Sequence, residues 1–138
     1  MENEQKVTIR VAGIIIEDNK ILFLLGKGYK ELWTPGGKLE EGETNEECLK
    51  RELKEEIGVD LVEAKFFKEY DGPSFYRHSE RTKNIMYLAK ISGDIKPDME
   101  IESFVWLSGE DFINKKYPMI PIYESDIIPD LIKEKIWN

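Results

Sequence analysis

The 138-residue sequence has only one cysteine and one histidine. Because Cys48 has no partner in the chain, an intrachain disulfide is excluded. The single histidine, His78, lies in a polar stretch, where we expect it to be solvated rather than catalytic. No G-K-[ST] segment occurs, which excludes a Walker P-loop. The sequence therefore offers neither a disulfide framework nor the standard phosphate-binding loop.

Long apolar runs and an excess of basic residues are also missing. No segment is long enough to span a bilayer, and the N-terminus does not resemble a signal peptide. The net charge of −8 disfavours binding to the phosphates of long nucleic acids. We therefore expect a cytoplasmic protein with no membrane or nucleic-acid polymer as partner. Such a protein can still bind a small phosphorylated ligand where metal ions supply positive charge.

The apolar fraction of 41% and the chain length predict one folded domain over residues 1–138. Runs rich in β-branched residues predict an antiparallel pair of strands at the start of the chain. Later segments predict further strands, a turn, a loop, a short helix capped by Ser108 and an amphipathic helix that packs back on the sheet. The predicted ranges are strands Val7–Glu17, Ile21–Leu25, Leu61–Tyr70, Asn84–Ile91 and Glu100–Leu107, turn Asp71–Ser74, loop Phe75–Lys83 and final helix Ser125–Trp137.

The most informative stretch covers residues 37–59 and contains a helix with clear boundaries. Thr44 and Glu47 form a T-x-x-E pair, which is the signature of a capping box at a helix N-terminus. Gly58 follows the last periodic residue, where a helix C-terminus favours glycine. We therefore predict a helix that begins after Thr44 and ends before Gly58.

Three glutamates share one face of that helix. At about 100° of rotation per residue, Glu55 lies roughly 60° to one side of Glu52, and Glu56 lies roughly 40° to the other. Carboxylates this close repel one another unless protons or cations intervene. Oxygen ligands without histidine or cysteine suit Mg²⁺ or Mn²⁺ rather than zinc. A solvated charged face is the alternative interpretation.

The whole stretch reads G-x5-E-x7-R-E-U-x-E-E-x-G-U, where U is apolar, and it resembles the Nudix box. The fixed positions are filled by Gly37, Glu43, Arg51, Glu52, Leu53, Glu55, Glu56, Gly58 and Val59. The order of strands and helices is also similar to that of MutT-like Nudix hydrolases. The resemblance implies an α/β/α sandwich around a mixed sheet. It also implies hydrolysis of a nucleoside diphosphate linked to another moiety, with Mg²⁺ as cofactor and Mn²⁺ as the alternative ion.

The resemblance also assigns roles within and near the box. Metal ligands are Glu52, Glu55, Glu56 and the carbonyl of Gly37, and Arg51 orients a box glutamate through a salt bridge. Relatives differ in the general base, and the open alternatives here are Glu52, Glu102 and Glu100.

Five residues outside the box are candidates for substrate contacts. They are Lys27, Trp33, Tyr76, Arg77 and Arg81, whose side chains can stack on a base or pair with a phosphate. The structural alternatives are a solvated loop lysine for Lys27 and core packing for Trp33.

The substrate class stays open within the family. Tyr76 follows Val59 by 17 residues, as in many dinucleoside-polyphosphate hydrolases, whereas Pro73 lies one residue short of the proline spacing of ADP-ribose pyrophosphatases. The short chain favours a MutT-like nucleoside triphosphate pyrophosphohydrolase, with ADP-ribose or diadenosine polyphosphate hydrolysis as alternatives. A non-catalytic nucleotide-binding module is a further alternative, and the resemblance also predicts a homodimer.

Overall fold

The computed structural model describes residues 6–76 and 79–138, in which strands and helices alternate along the chain. The elements are β1 (Val7–Glu17), β2 (Lys20–Gly26), β3 (Gly36–Lys38), α1 (Asn45–Ile57), β4 (Asp60–Pro73), β5 (Arg81–Ser92), β6 (Ile101–Leu107), α2 (Gly109–Ile113), a π-helical turn (Tyr123–Ile127) and α3 (Ile128–Lys133). The sheet order is β4-β5-β1-β2-β6, and β3 pairs with β1. Strands β1 and β5 are parallel, whereas the other pairs are antiparallel, so the sheet is mixed.

Strand β1 lies at the centre of the sheet and supplies side chains to both of its faces. Val11 and Ile15 belong to one hydrophobic core, whereas Ala12 and Ile14 belong to another. This division follows from the alternation of side chains along a strand. Both faces of β1 are buried, which explains its nearly continuous run of apolar residues.

A helical layer covers each face of the sheet. On one face, α1 buries Leu49, Leu53 and Ile57 in the core that contains Val11. On the other face, the π-helical turn and α3 bury apolar side chains such as Leu131. The predicted α/β/α sandwich is therefore confirmed. No helix in the described part of the chain has the length and apolar composition needed to cross a membrane.

Strand β4 is longer than its sequence pattern predicts. The predicted turn at Asp71–Ser74 is wrong, because Asp71, Gly72 and Pro73 pair with residues 81–83 of β5. Proline is tolerated here because β4 is an edge strand. The predicted loop Phe75–Lys83 is correspondingly shorter, and residues 77–78 within it lie outside the described range.

The C-terminal helix also differs from the predicted range of Ser125–Trp137. The structure has a π-helical turn before α3, and α3 ends at Lys133. Lys135 then adopts a positive φ of 60°, which ends the helical path. Trp137 turns back into the core, where its indole N–H donates to the carbonyl of Asn19 at 2.8 Å. The apolar residues after Lys133 therefore belong to a folded-back tail rather than to a helix.

Candidate active site

Helix α1 begins and ends as the sequence predicts. The Glu47 backbone N–H donates to Thr44 Oγ1 at 3.1 Å, and the Thr44 N–H donates to Glu47 Oε1 at 2.9 Å. At the other end, Gly58 has a φ of 69°, in the left-handed region that favours glycine. These caps set the rotation of the helix, so that its apolar stripe packs on the sheet and its glutamates lie beside that stripe.

Arg51, on helix α1, donates hydrogen bonds both to the segment that precedes the helix and to glutamates of the helix itself. Its Nε and Nη2 donate to both carboxylate oxygens of Glu43, at 2.7 and 3.0 Å. Its Nη1 donates to Glu52 at 2.8 Å and to Glu55 at 3.4 Å, and its Nη2 donates to the Lys38 carbonyl at 3.2 Å. The hydrogen bonds from Arg51 lower the pKa of Glu43 to about 2. Glu43 is therefore an ionised partner that holds Arg51 in place.

Two glycines at the start of β3 bring its backbone directly against the glutamates. The Gly36 N–H donates to Glu56 Oε1 at 3.0 Å. A Cβ atom at Gly37 would lie 2.3 Å from the carboxyl carbon of Glu52, and one at Gly36 would lie 2.2 Å from the Val11 carbonyl oxygen. Any larger residue at Gly37 would displace the Glu52 carboxylate. Strand β3 therefore needs glycine for close packing of its backbone against the Glu52 carboxylate.

Burial destabilises the ionised forms of two of these carboxylates, Glu52 and Glu56. Burial raises the pKa of Glu56 to about 8, and the negative charges of Glu52 and Glu55 act in the same direction, whereas Arg10 opposes them. Burial is also the main cause that raises the pKa of Glu52. An added cation would therefore be stabilised at this place.

The residues at this site fit a divalent cation in their chemistry. Carboxylate oxygens and a backbone carbonyl are the ligands that Mg²⁺ and Mn²⁺ prefer. Within residues 6–76 and 79–138, however, no three acidic, histidine or cysteine side chains are grouped closely enough to enclose an ion. In this structure Arg51 donates to Glu52 and Glu55, whereas Glu56 accepts from the Gly36 N–H.

A cavity of about 660 Å³ opens beside the box helix. This volume is typical of small-molecule sites. The box supplies two acidic side chains and one glycine to its wall, and other parts of the chain supply Gly36 and several aromatic and polar side chains. The lining residues used below are Glu52, Glu56, Gly36, Gly37, Arg10, Tyr29, Trp33, Phe75, Tyr76, Asn84, Glu100 and Tyr123.

An aromatic cluster forms one side of the cavity. Tyr29 packs against Trp33 and Tyr76, with ring centroids 5.4 and 4.8 Å apart, and Phe75 lies 4.7 Å from Tyr76. The Tyr76 hydroxyl donates to Glu31 at 3.1 Å, which fixes the ring. Clustered aromatic faces favour a planar ligand group such as a nucleobase.

The predicted substrate residues separate into two groups. Trp33 and Tyr76 line the cavity. Lys27 is exposed and does not line it, and Arg81 instead forms an ion pair with Asp71 at 3.5 Å. Arg77 lies outside the described residues.

Of the two glutamates predicted near β6, only one lies at the cavity. Glu100 lines it, whereas Glu102 is exposed and does not. The register between β2 and β6 shifts at Glu102, because Leu25 pairs with Ser103 and Gly26 pairs with Ile101. Such a bulge changes the direction of a side chain, so spacing along the chain could not locate Glu102.

Sequence reasoning missed several cavity residues, among them Arg10 and Tyr123. Arg10 was detectable in principle, since it is a charged residue in the otherwise apolar centre of β1. Tyr123 had no such signal, because its place depends on how the π-helical turn packs. Both residues lie far from the box in sequence.

The chain is an α/β/α sandwich in which the glutamate-bearing helix α1 and the glycines Gly36 and Gly37 line one cavity. A sequence profile described as the NUDIX domain matches residues 7–131, so the chain belongs to the Nudix family. The family resemblance of residues 37–59 is thereby confirmed.

Named relatives differ in how much of the chain they match. An 8-oxo-dGTP diphosphatase of Buchnera aphidicola is 43% identical over 67 residues, which cover 46% of this chain and 52% of the relative. An ADP-ribose pyrophosphatase of Methanocaldococcus jannaschii is 30% identical over 130 residues, which cover 92% of this chain and 74% of the relative. The chain thus spans about half the length of the first relative and most of the second.

The structure of a MutT protein from Methanosarcina mazei Go1 is similar throughout. It superposes with a TM-score of 0.80 over 96% of this chain and 97% of that chain, at 22% identity. At this identity, the likeness supports the fold.

Proposed function

We propose that this protein is a divalent-metal-dependent hydrolase that cleaves the pyrophosphate bond of a nucleoside diphosphate linked to another moiety. The observation that carries this proposal is that Glu52, Glu56 and Gly37 line one cavity of nucleotide size. The aromatic cluster that lines the same cavity offers a surface for the base. Family membership agrees with this chemistry.

The ion would be held by Glu52, Glu55, Glu56 and the Gly37 carbonyl. When bound, Mg²⁺ or Mn²⁺ supplies the positive charge that the phosphates and the attacking water require. The protein's own contribution is positioning. Arg51 holds Glu52 by a hydrogen bond of 2.8 Å, and Gly37 leaves room for that carboxylate.

The reaction is a nucleophilic substitution at phosphorus in which the attacking water also loses one proton. The oxygen of water bonds to one phosphorus of the bridge, and the bond from that phosphorus to the bridging oxygen breaks. The electron pair stays on the departing phosphate, and a carboxylate accepts the proton from water. Glu52 and Glu100 are the carboxylates on the cavity wall assigned to this role. The pH–rate profiles of Glu52→Gln and Glu100→Gln identify the base. The rate of the variant that lacks the base should no longer decrease at low pH.

We propose a nucleoside triphosphate, as in MutT-like enzymes, as the first substrate class. The match to the 8-oxo-dGTP diphosphatase supports it. A specific observation also favours ADP-ribose, because the alignment with the ADP-ribose pyrophosphatase extends over 92% of this chain. Diadenosine polyphosphates are a third class. They are included because Tyr76, whose spacing from Val59 suggests them, lies in the aromatic cluster.

A phosphate-release screen tests the proposal. The panel contains ordinary and oxidised nucleoside triphosphates, ADP-ribose, nucleotide sugars and diadenosine polyphosphates, each with Mg²⁺ and with EDTA. We expect metal-dependent turnover of one class. Binding of these ligands without turnover would instead support a non-catalytic binding module. The homodimer and the cytoplasmic location stay predictions. Sedimentation equilibrium tests the first, and cell fractionation tests the second.

A further inference from the structure

Arg10 carries the positive charge on the cavity wall. Among the described residues that line the cavity, it is the single lysine or arginine. Three glutamates, at positions 52, 56 and 100, line the same space. An anionic ligand that enters this cavity therefore meets strong repulsion and one side chain that attracts it.

The guanidinium of Arg10 is held but not neutralised. Its Nη2 donates to the Thr34 carbonyl at 2.6 Å, and its Nη1 lies 3.4 Å from the Tyr123 hydroxyl. Within the described part of the chain it forms no ion pair. Because a guanidinium has five N–H donors, these contacts leave several donors for a ligand.

The group that holds Arg10 is buried and well connected. The Tyr123 hydroxyl accepts from the Thr34 N–H at 2.9 Å and lies 2.7 Å from Thr34 Oγ1. Tyr123 and Thr34 are 2% and 1% exposed, and the Tyr123 ring packs on Phe23 at 5.2 Å. Tyr123 opens a π-helical turn, a rare element that often occurs at functional sites. This network fixes the direction of Arg10 before any ligand binds.

Arg10 also interacts electrostatically with the proposed ion-binding glutamates. Although burial raises the pKa of Glu56, the positive charge of Arg10 acts in the opposite direction. Arg10 is therefore near enough to influence Glu56 without pairing with it. A ligand phosphate held between an ion at the glutamates and the guanidinium would neutralise both sides of the cavity.

We propose that Arg10 binds a non-bridging phosphate oxygen of the substrate, and that Tyr123 and Thr34 position its guanidinium. This inference rests on the proposed function and names a substrate-binding residue outside the box. The planar guanidinium suits phosphate geometry, because it can donate two parallel hydrogen bonds.

The test uses imidodiphosphate, a pyrophosphate mimic that lacks the hydrolysable oxygen bridge and has no base. Calorimetry measures its dissociation constant with saturating Mg²⁺, and measures Mg²⁺ alone in a separate titration. We expect Arg10→Gln to weaken imidodiphosphate binding roughly 10- to 100-fold. Arg10→Gln should bind Mg²⁺ alone as tightly as wild type or more tightly, since a positive charge near Glu56 has been removed.

Weaker imidodiphosphate binding together with unchanged or tighter Mg²⁺ binding distinguishes a role in ligand binding from damage to the site. A misfolded site would weaken both titrations, and that result would overturn the proposal. Arg10→Lys keeps the charge but loses the fork, so it should recover only part of the imidodiphosphate affinity. Tyr123→Phe should weaken the same affinity several-fold through loss of positioning. Lys20→Gln, which removes an exposed charge from the start of β2, is the control and should bind like wild type.

The outcome is distinguishable from that of the proposed function. If wild type hydrolyses a nucleotide but Arg10→Gln and Arg10→Lys bind imidodiphosphate normally, the role of Arg10 is wrong. If wild type binds imidodiphosphate but hydrolyses nothing in the screen, and Arg10→Gln binds imidodiphosphate weakly, the hydrolase proposal fails and the anion site stands.

Discussion

Glu56 should make the stability of the metal-free protein depend on pH. Burial raises the pKa of this carboxyl from 4.5 to about 8 in the folded chain. The unfolded chain holds Glu56 at its ordinary pKa, so the folded state binds the proton more tightly. This contribution to stability is therefore complete below pH 4.5 and is lost as the pH rises through about 8.

The size of the effect follows from the difference between the two pKa values. At about 1.36 kcal/mol per pKa unit, complete ionisation of Glu56 costs at most roughly 5 kcal/mol. Water entry and small side-chain movements reduce such costs, so we expect a loss of about 3 kcal/mol in unfolding free energy between about pH 5 and pH 8.5. Mg²⁺ should restore most of this loss in wild type, because it stabilises the ionised carboxylate.

Urea unfolding with EDTA at those two pH values measures the loss. Glu56→Gln is the matched variant, since an amide keeps the shape of the side chain and cannot ionise. Glu43 does not contribute in this range, because its pKa of about 2 places its titration at lower pH. An equal pH dependence in wild type and Glu56→Gln would refute the reasoning, since another group would then bind the proton.

Three further predictions concern the residues that hold the site and the fold together. Arg51→Gln removes the 2.8 Å hydrogen bond to Glu52 and should lower activity by about 10- to 100-fold, with Arg51→Lys less affected, as steady-state kinetics would show. Gly37→Ala places a methyl group 2.3 Å from the Glu52 carboxyl carbon and should lower activity by roughly 10- to 100-fold. The midpoint of urea unfolding of Gly37→Ala should stay close to the wild-type value, in contrast to its activity. Tyr70→Phe loses the 2.7 Å hydrogen bond to Asp130 of α3 and should lower the unfolding free energy by about 1–2 kcal/mol.

The box helix was predictable because its determinants are local. Thr44 and Glu47 are three residues apart and form both capping hydrogen bonds, and Gly58 ends the helix by its own backbone conformation. Helical periodicity then sets the positions of the glutamates relative to Leu49 and Leu53. None of these features requires knowledge of distant parts of the chain.

The rest of the site depends on strand pairing and on tertiary contacts. Glu102 misses the cavity because of a bulge that arises where β6 meets β2. Strand β4 continues through Pro73 because β5 offers it partners. Arg10 and Tyr123 meet across 113 positions of sequence, at the start of the π-helical turn, whose packing no local pattern encodes.

The central claim is that water cleaves a phosphorus–oxygen bond of a nucleotide in a metal-dependent reaction at the glutamates of α1. Hydrolysis in water labelled with oxygen-18 tests it most directly, with the products analysed by mass spectrometry. We predict one labelled oxygen per turnover on a phosphate of one product, with Mg²⁺ present, and none with EDTA or in Glu56→Gln. Label on a sugar carbon, or an equal yield of labelled phosphate with EDTA or in Glu56→Gln, would contradict the account.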